Sequence, residues 1–168
     1  KNLRLLKDIF DEILISTNMP EKYFYLGVPL IGDAIHSRGP MSGIYSSLIN
    51  AKSDCIFVIA CDMPFIKKDV VSLICKKHFE MSSIKPVDAT IPVFNDKPQP
   101  LFGVYCKTVL NYLEGCILDG KTSLKRFLNE IEAGFVKEQD VRAVDPDGRS
   151  FININTMEDY KRIVNSEQ

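Results

Sequence analysis

Histidine is scarce in this sequence of 168 residues, which contains only His36 and His78. Neither has a metal-ligand spacing to the other or to a pair of cysteines, so the sequence predicts no zinc site. The same scarcity argues against a Ser-His-Asp triad or a Cys-His nucleophile. We expect His78 to be an ordinary exposed residue of a helix.

A disulfide framework is also absent from the pattern of cysteines. The five cysteines are odd in number, have no C-x-x-C spacing, and three of them lie in apolar strand or helix patterns; they are Cys55, Cys61, Cys75, Cys106 and Cys116. Secreted disulfide-rich domains carry an even set at regular spacings. The sequence therefore predicts reduced, buried thiols and a cytoplasmic location.

The sequence has neither a block of like charge nor a long apolar run. Its 21 basic and 22 acidic residues give a net charge of -1, which predicts no nucleic acid and no anionic membrane surface as a partner. No apolar run approaches the ~18 residues of a membrane span. A hydrophobic fraction of 45% fits one well-buried domain over residues 1–168.

The stretch CIFVIACDMPF, from Cys55 to Phe65, is the one around which the chain is organised. Its first seven residues carry no charge and are rich in β-branched and aromatic side chains, which predicts a strand buried on both faces of a mostly parallel sheet. Pro64 cannot donate to a ladder, so the strand must end near Asp62. That carboxylate then lies at the edge where open α/β sheets bind ligands.

A carboxylate, Asp33, also follows a second short apolar run at residues 26–31. A helical pattern begins soon afterwards, next to Gly39 and Gly43, with Ser42 as its predicted N-cap. Two glycines at a helix start allow a ligand to approach backbone N–H groups. The alternative is a loop that needs Gly39 only for its turn.

Two amides, Asn153 and Asn155, lie at the end of the last predicted strand, residues 151–154. Together with Asp33 and Asp62 they bring oxygen atoms to one sheet edge, a set that suits Mg²⁺ carrying a nucleotide. Phosphoryl or nucleotidyl transfer then requires mainly positioning and charge stabilisation. Alternatively, Asp62 satisfies backbone N–H groups of its own turn, and the asparagines form a helix-entry motif.

The second half of the chain predicts further strands and helices. Strands are predicted over residues 88–94 and 101–105, the first at a sheet edge because of Pro92. Helices are predicted over residues 108–118 and 123–131. The whole pattern is that of an α/β fold.

Four motifs stand in order along the chain: GPMSGI from Gly39, ACDMPF from Ala60, QPLF from Gln99 and FININTMED from Phe151. In this order and at these intervals they resemble the molybdenum cofactor guanylyltransferases, over essentially the whole chain. The resemblance implies a Rossmann-like three-layer α/β/α fold with a mostly parallel mixed sheet, of the nucleotide-diphosphate-sugar transferase-like type. It also implies an enzyme that joins GMP from GTP to molybdopterin and releases pyrophosphate, with Mg²⁺ as cofactor.

The resemblance assigns roles to residues on the nucleotide side of the site. Asp62 occupies the position of the magnesium ligand and also contacts the nucleotide. Asp33, at a strand end before the G-P-x-x-G loop, resembles a further residue that contacts the nucleotide. Gly39, Pro40 and Gly43 of the loop itself would line the same substrate.

On the acceptor side, Asn153 and Asn155 resemble an N-x-N pair near the site of transfer, and Gln99 and Pro100 resemble a pterin-side loop. Three basic residues are candidates for holding the molybdopterin phosphate, or else form a solvated face: Lys121, Lys125 and Arg126. The family's role would also bring transient contact with cofactor-insertion proteins or molybdoenzymes.

One departure from the family is clear, because no Gly-Gly pair occurs in the sequence. The family begins with a strand and an L-A-G-G loop that grips the triphosphate. We therefore expect the polypeptide to be truncated here and to continue upstream of Lys1, with the phosphate loop in that part. The alternatives are a cytidylyl- or sugar-phosphate nucleotidyltransferase, or a non-catalytic binding protein without a phosphate loop.

Overall fold

The structure, a computed structural model, describes residues 2–35, 39–154, 156 and 158. Its helices and strands, in chain order, are α1 (Asn2–Lys7), β1 (Ile15–Ser16), β2 (Leu30–Ile31), α2 (Pro40–Asn50), β3 (Cys55–Ile59), α3 (Lys68–Ile84), β4 (Ala89–Phe94), β5 (Lys97–Pro98), β6 (Phe102–Cys106), α4 (Leu110–Leu118), α5 (Leu124–Leu128), β7 (Ala133–Val136) and α6 (Glu138–Val144). Turns of 3₁₀ helix lie at Pro20–Lys22, Phe24–Leu26, Lys107–Val109 and Arg149–Phe151.

The strands form two sheets of different kinds. A five-stranded sheet has the order β3-β6-β4-β5, with β7 also paired to β4, while β1 and β2 form a separate parallel pair. In the larger sheet, β6 runs antiparallel to both β3 and β4, and β7 runs parallel to β4. The predicted α/β class with a mixed sheet is confirmed, although antiparallel pairs predominate in the larger sheet.

β3 differs from its prediction in burial. All five of its residues are half-buried instead of fully buried. The reason is that, within the described residues, β6 is its only ladder partner, so β3 lies at an edge of the larger sheet. An apolar run indicates a strand, but it does not indicate how many neighbours that strand has.

Helices cover both faces of the larger sheet. Alternate residues of β6 face opposite ways, so that Tyr105 packs with α2, α4 and α5, whereas Phe102 and Val104 pack with α3 and α6. Leu5 of α1 joins the second group. The three-layer arrangement that the resemblance implied is therefore present. No helix among the described residues has the length and apolarity needed to cross a bilayer.

Pro92 was predicted to mark an edge strand, and this was wrong. β4 has neighbours on both sides and Pro92 is buried. The ladder with β6 reaches only to Thr90, and the ladder with β5 begins at Val93. On the side of β4 that faces β5 and β6, Pro92 falls in the gap between these two ladders, where its missing N–H leaves no partner unsatisfied. On the other side it is in register with Val136 of β7.

Two local predictions near the chain's motifs also differ from the structure. Ser42 does not cap α2, because Gly39 is the N-cap residue and Ser42 lies inside the helix, donating its hydroxyl to the carbonyl of Gly39 at 3.0 Å. The strand predicted over residues 151–154 is a 3₁₀ turn at Arg149–Phe151 followed by irregular chain. The helix that the helix-entry interpretation of Asn153 and Asn155 requires lies mostly outside the described residues.

The prediction of reduced, buried thiols was wrong for three of the five cysteines. Cys55 and Cys106 form a disulfide between β3 and β6, and Cys61 is a free, exposed thiol. Cys116 is free and buried, as predicted, and Cys75 is free but half-buried. The two cysteines are 51 residues apart in sequence, and their pairing depends on the register of β3 and β6. The spacing of cysteines in the sequence does not indicate that register.

We predict that Gly148→Ala lowers the free energy of unfolding by about 2–5 kcal/mol. Gly148 has φ of 63°, and a Cβ here would overlap the ring of Phe94, so left-handed strain of ~1–2 kcal/mol adds to overpacking of ~1–3 kcal/mol. Gly120→Ala is the matched control, because φ is 71° and nothing lies within 4 Å. Urea unfolding measures both, and equal losses in the two variants would contradict the clash with Phe94.

Candidate active site

Asp62 lies just beyond the end of β3, as the position of Pro64 predicted. The chain leaves the ladder after the N–H of Ala60 donates to the carbonyl of Leu101 at 2.9 Å. The Asp62 side chain is half-buried, and its Oδ1 is shielded from solvent with no hydrogen-bond partner among the described residues. A shielded carboxylate oxygen without a donor is costly unless a cation or another group binds it.

This oxygen allows a test of whether the site fits magnesium. In the alternative interpretation, the Asp62 carboxylate would accept N–H groups of its own turn, but Oδ1 accepts none in the described chain. Magnesium takes one or two protein carboxylates and completes its shell with water and phosphate oxygens. A single carboxylate with one uncommitted oxygen therefore fits the ion.

The start of the last motif lies directly against Asp62. The N–H of Ile154 donates to the backbone carbonyl of Asp62 at 2.8 Å. Asn153, the preceding residue, has an exposed side chain next to this contact. Asn155 lies outside the described residues, so the structure describes only one member of the predicted pair.

The Gln99-Pro100 loop lies at the same end of the sheet, because it leads directly into Leu101. The Gln99 side chain donates from Nε2 to the carbonyls of Phe94 and Lys97 at 3.4 and 3.3 Å. The Pro100 carbonyl accepts the hydroxyl of Tyr105 at 2.6 Å. The loop is thus held beside Asp62 by its own hydrogen bonds, and the Gln99 amide stabilises the turn between β4 and β6.

Asp33 follows β2, which belongs to the smaller sheet. Its Oδ2 accepts from Asn18 Nδ2 at 2.7 Å, and its N–H donates to Asn18 Oδ1 at 3.0 Å. This reciprocal pair fixes the ends of β1 and β2 to one another. No described hydrogen bond or ion pair joins Asp33 to Asp62.

The GPMSGI motif forms the first turn of α2. Gly39 precedes it with φ of 128°, a conformation that favours glycine, and Pro40 occupies the first helical position. Gly43 lies so close to β1 that a Cβ would be 3.1 Å from Ser16 Oγ, which gives it a packing role. A Cβ on Gly39 would be 4.0 Å from Thr122 Cβ, so the loop before α5 adjoins this helix start.

The three basic candidates near that loop are all exposed. Lys121 is 3.0 Å from the Asp119 carboxylate, whose hydrogen bond and charge raise the pKa of the Lys121 ammonium. Lys125 and Arg126 lie on α5, one turn away. All three lie within four residues of Thr122, the residue that adjoins Gly39 at the start of α2.

A partly buried ion pair that the sequence analysis missed holds the Asp62 loop in place. Lys67 Nζ lies 2.6 Å from Oδ1 of the fully buried Asp145, and the Lys67 N–H donates to Ser150 Oγ at 3.1 Å. Asp145 Oδ2 accepts the Ser150 N–H at 2.9 Å. Burial by itself raises the pKa of Asp145, but the hydrogen bonds and charge of Lys67 and Ser150 outweigh it and lower the pKa.

This network joins two segments that are far apart along the chain. Lys67 ends the loop that begins at Asp62, and Ser150 lies four residues before Ile154. The same loop is also held by Asn2, whose Nδ2 donates to the carbonyl of Met63 at 2.7 Å. The sequence here signals a turn, DPDG from Asp145 to Gly148, and this pattern indicates a bend but not the partner of Asp145.

A depression of about 370 Å³ lies at the opposite end of the larger sheet. Its lining includes Asp88, Thr108, Glu130 and Glu132. Asp88 is already committed, accepting from Thr108 Oγ1 at 2.6 Å and from the Glu132 N–H at 2.9 Å. Its acidic lining repels phosphate groups, so it does not compete with Asp62 as a nucleotide site.

Comparison with known proteins identifies the relatives of this chain. A family described as MobA-like NTP transferase domain matches residues 2–136. A molybdenum cofactor guanylyltransferase of Syntrophotalea carbinolica is 34% identical, covering 94% of this chain and 73% of that protein. Another, of Desulfosudis oleivorans, is 31% identical, covering 94% of this chain and 75% of that protein.

A solved structure shares the fold. It is molybdopterin-guanine dinucleotide biosynthesis protein A from Archaeoglobus fulgidus, with a TM-score of 0.78 and 24% identity, and the match covers 100% of this chain and 87% of that chain. At this identity the likeness concerns the fold alone. It agrees with the three layers described above.

We predict that Asp145→Asn lowers the free energy of unfolding by ~1–3 kcal/mol at pH 7, less than a fully buried pair because Lys67 is partly exposed. The folded-state pKa of Asp145 is depressed, so its contribution is present above the ordinary value of 3.8 and is lost as pH falls through the lowered pKa. The difference in the free energy of unfolding between the native protein and Asp145→Asn should therefore become smaller below pH 3.8.

The control is Asp119→Asn, which breaks an exposed pair and should change stability by ~0–0.5 kcal/mol. Chemical unfolding of all three proteins across the acid range measures the difference. A gap between the native protein and Asp145→Asn that stays constant down to full acid unfolding would contradict the ion pair with Lys67.

Proposed function

The chain belongs to the MobA-like NTP transferase domain family, and we propose that it is a molybdenum cofactor guanylyltransferase, joining GMP from GTP to molybdopterin. The relatives that carry this name share about a third of their residues with it over most of its length. The observation that carries the proposal is the Oδ1 of Asp62 at the end of β3, which is shielded from solvent and has no hydrogen-bond partner among the described residues.

The reaction is a displacement at phosphorus. A terminal phosphate oxygen of molybdopterin forms a bond to the α-phosphorus of GTP, and the bond from that phosphorus to the β-phosphate oxygen breaks. Pyrophosphate leaves with the electrons of that bond, so no oxidant or reductant is needed. The protein's task is to align the two substrates and to stabilise the developing charge.

Asp62 is the residue that would hold Mg²⁺. When bound, the ion would neutralise phosphate charge and orient the oxygens of the triphosphate. Asp62 can do this because its loop is fixed through Ile154, Leu101 and Asn2, whose hydrogen bonds hold the backbone on both sides of it. A carboxylate on a fixed loop loses little conformational freedom when the ion binds.

The nucleotide would lie between the Asp62 loop and the first turn of α2. Backbone N–H groups of that turn, after Gly39 and Pro40, suit phosphate oxygens or base acceptors. Asp33 would contact the nucleotide from the end of β2 while Asn18 holds its carboxylate in place. Gly43 would contribute indirectly, by allowing α2 to approach β1 closely.

Molybdopterin would approach from the side of Asn153 and the Gln99-Pro100 loop. The exposed Asn153 amide, with Asn155, would contact the reacting phosphate. Lys121, Lys125 and Arg126 offer positive charge near Thr122 for the molybdopterin phosphate. Because the reaction consumes GTP, a nucleotide of the cell interior, we place the protein in the cytoplasm, where cofactor-insertion proteins or molybdoenzymes would receive the product.

We predict that Asp62→Asn lowers turnover by ~10²-fold or more, the scale of loss when an electrostatic stabiliser is removed. It should leave the free energy of unfolding unchanged or higher, since no group in the described part of the chain pairs with the lost charge at Oδ1. Pyrophosphate release with varied Mg²⁺ and a thermal melt measure the two effects.

The matched control for this variant is Asp54→Asn, which directly precedes the other end of β3 and has an exposed side chain. Its turnover and melting should both match the native protein. Unchanged turnover of Asp62→Asn at saturating Mg²⁺, in a protein that melts normally, would remove Asp62 from the site.

We predict that Asn153→Ala slows transfer by ~10-fold or more while changing the free energy of unfolding by less than ~0.5 kcal/mol, because its side chain is exposed. The backbone bond from Ile154 to Asp62 does not use that side chain and should persist. Single-turnover rates and urea unfolding measure the two quantities. A fall in stability that accounts for all lost activity would favour the helix-entry interpretation instead.

A further inference from the structure

The antiparallel register of β3 and β6 brings two cysteines face to face. Cys55 and Cys106 are direct cross-strand partners. Both side chains point to the face covered by α3, where they pack with the second group of core residues. Directly opposite residues on one face of an antiparallel pair lie close enough for their side chains to share one ligand.

A histidine from α3 completes this cluster. His78 Nε2 lies 3.5 Å from Cys106 Sγ, and the ligand atoms of Cys55, His78 and Cys106 all lie within 4.8 Å of one another. His78 was predicted to be an ordinary exposed helix residue, but it is half-buried. Burial lowers the pKa of His78, which favours the neutral ring that metals require.

The other ring nitrogen of His78 is already engaged. Its Nδ1 lies 2.9 Å from Oγ1 of Thr90, a residue with no solvent exposure. When Nδ1–H donates to this hydroxyl, the lone pair of Nε2 points toward the two sulfurs. Metal-ligating histidines generally have such a partner on their second nitrogen, which fixes the tautomer and the ring orientation.

We propose that Cys55 and Cys106, once reduced, form with His78 a binding site for Zn²⁺. Two thiolates and an imidazole are ligands that zinc prefers, with Zn–S of ~2.3 Å and Zn–N of ~2.0 Å. A tetrahedron with these bonds separates nitrogen from sulfur by about 3.5 Å, which is the separation already found between His78 and Cys106. The described residues supply three ligands, so water or an added ligand takes the fourth position.

The disulfide and the metal exclude each other, because each uses both sulfurs. Reduction adds two electrons and two protons to the bond between Cys55 and Cys106 and gives two thiols. A trialkylphosphine supplies the electrons and becomes a phosphine oxide by taking oxygen from one water. Binding of Zn²⁺ then releases both thiol protons to solvent, while the sulfurs separate to about 3.8 Å around the ion.

This site is separate from the guanylyl transfer site. Cys55 begins β3 and Asp62 follows its end, and four residue steps of ~3.3 Å place the cluster roughly 13 Å or more from that strand end. None of the cluster residues has been assigned a role in transfer. The bound ion would instead join β3 to β6 and α3, in place of the covalent bond.

The test uses the full polypeptide, reduced with a trialkylphosphine and desalted without oxygen. Titration with Co²⁺, a coloured stand-in for Zn²⁺, should give thiolate-to-metal charge-transfer absorption that saturates at one equivalent and disappears when Zn²⁺ is added. The oxidised protein should give none. Absence of this absorption in the reduced protein, or equal absorption in the oxidised one, would overturn the proposal.

Alkylation read by mass spectrometry tests the same site without any substitution. In the reduced native protein, Zn²⁺ should slow alkylation of Cys55 and Cys106 by ~10-fold or more, whereas the exposed Cys61 should react at the same rate with and without metal. Equal protection of all three thiols, or of none, would contradict a defined site.

Variants then assign the ligands. His78→Gln and Thr90→Val should each weaken Co²⁺ binding by ~10-fold or more, the first by removing a ligand and the second by removing its partner. Cys75→Ser is the control, since this thiol lies on the same helix one turn from His78, outside the cluster. Its titration should match the native protein, and a loss of binding there with none in His78→Gln would overturn the assignment.

Discussion

The ladder between β3 and β6 pairs five residues of each strand in antiparallel register. That register determines what lies at either end of β3. At one end, Ile59 pairs with Phe102, which places the Gln99-Pro100 loop beside Asp62. At the other end, Cys55 pairs with Cys106 below His78. A shift of one residue would turn every side chain of β3 to the opposite face and would dismantle both sites.

Asp62 owes its position to parts of the chain that are far apart in sequence. The Leu101 carbonyl accepts the N–H of Ala60, and the Ile154 N–H donates to the carbonyl of Asp62 itself. The ion pair between Lys67 and Asp145 closes the far end of the loop. The loop is therefore held by backbone groups, by the Asn2 side chain and by one partly buried ion pair, and no hydrogen bond within the described residues occupies Oδ1 of Asp62. Such an arrangement suits a residue that binds a metal ion, because positioning costs nothing at the moment of binding.

Local signals in the sequence were sufficient for some features and not for others. Pro64 marked the end of β3 correctly, since it acts through its own backbone. The apolar run of β3 could not reveal that this strand lies at an edge, because that depends on which strands pair with it. For the same reason, Pro92 alone could not reveal that it lies between the ladders to β5 and β6. Cys55, His78 and Cys106 have no ligand spacing in sequence, as their meeting is set by register and by the packing of α3. The motif resemblance identified Asp62, but Lys67 and Asp145 lie outside every motif.

Guanylyl transfer itself is tested most directly by product formation. The full polypeptide would be incubated with Mg²⁺, molybdopterin and each of the four nucleoside triphosphates in turn. The pterin products would be identified and quantified by mass spectrometry. We expect molybdopterin-guanine dinucleotide with GTP, formed in equal amount with pyrophosphate, and at least ~10²-fold less product with CTP, ATP or UTP, because a site that hydrogen-bonds a base rejects analogues that leave its polar groups unpaired. A dinucleotide formed preferentially with CTP, or no pterin product with any nucleotide from a folded protein, would contradict the proposed activity.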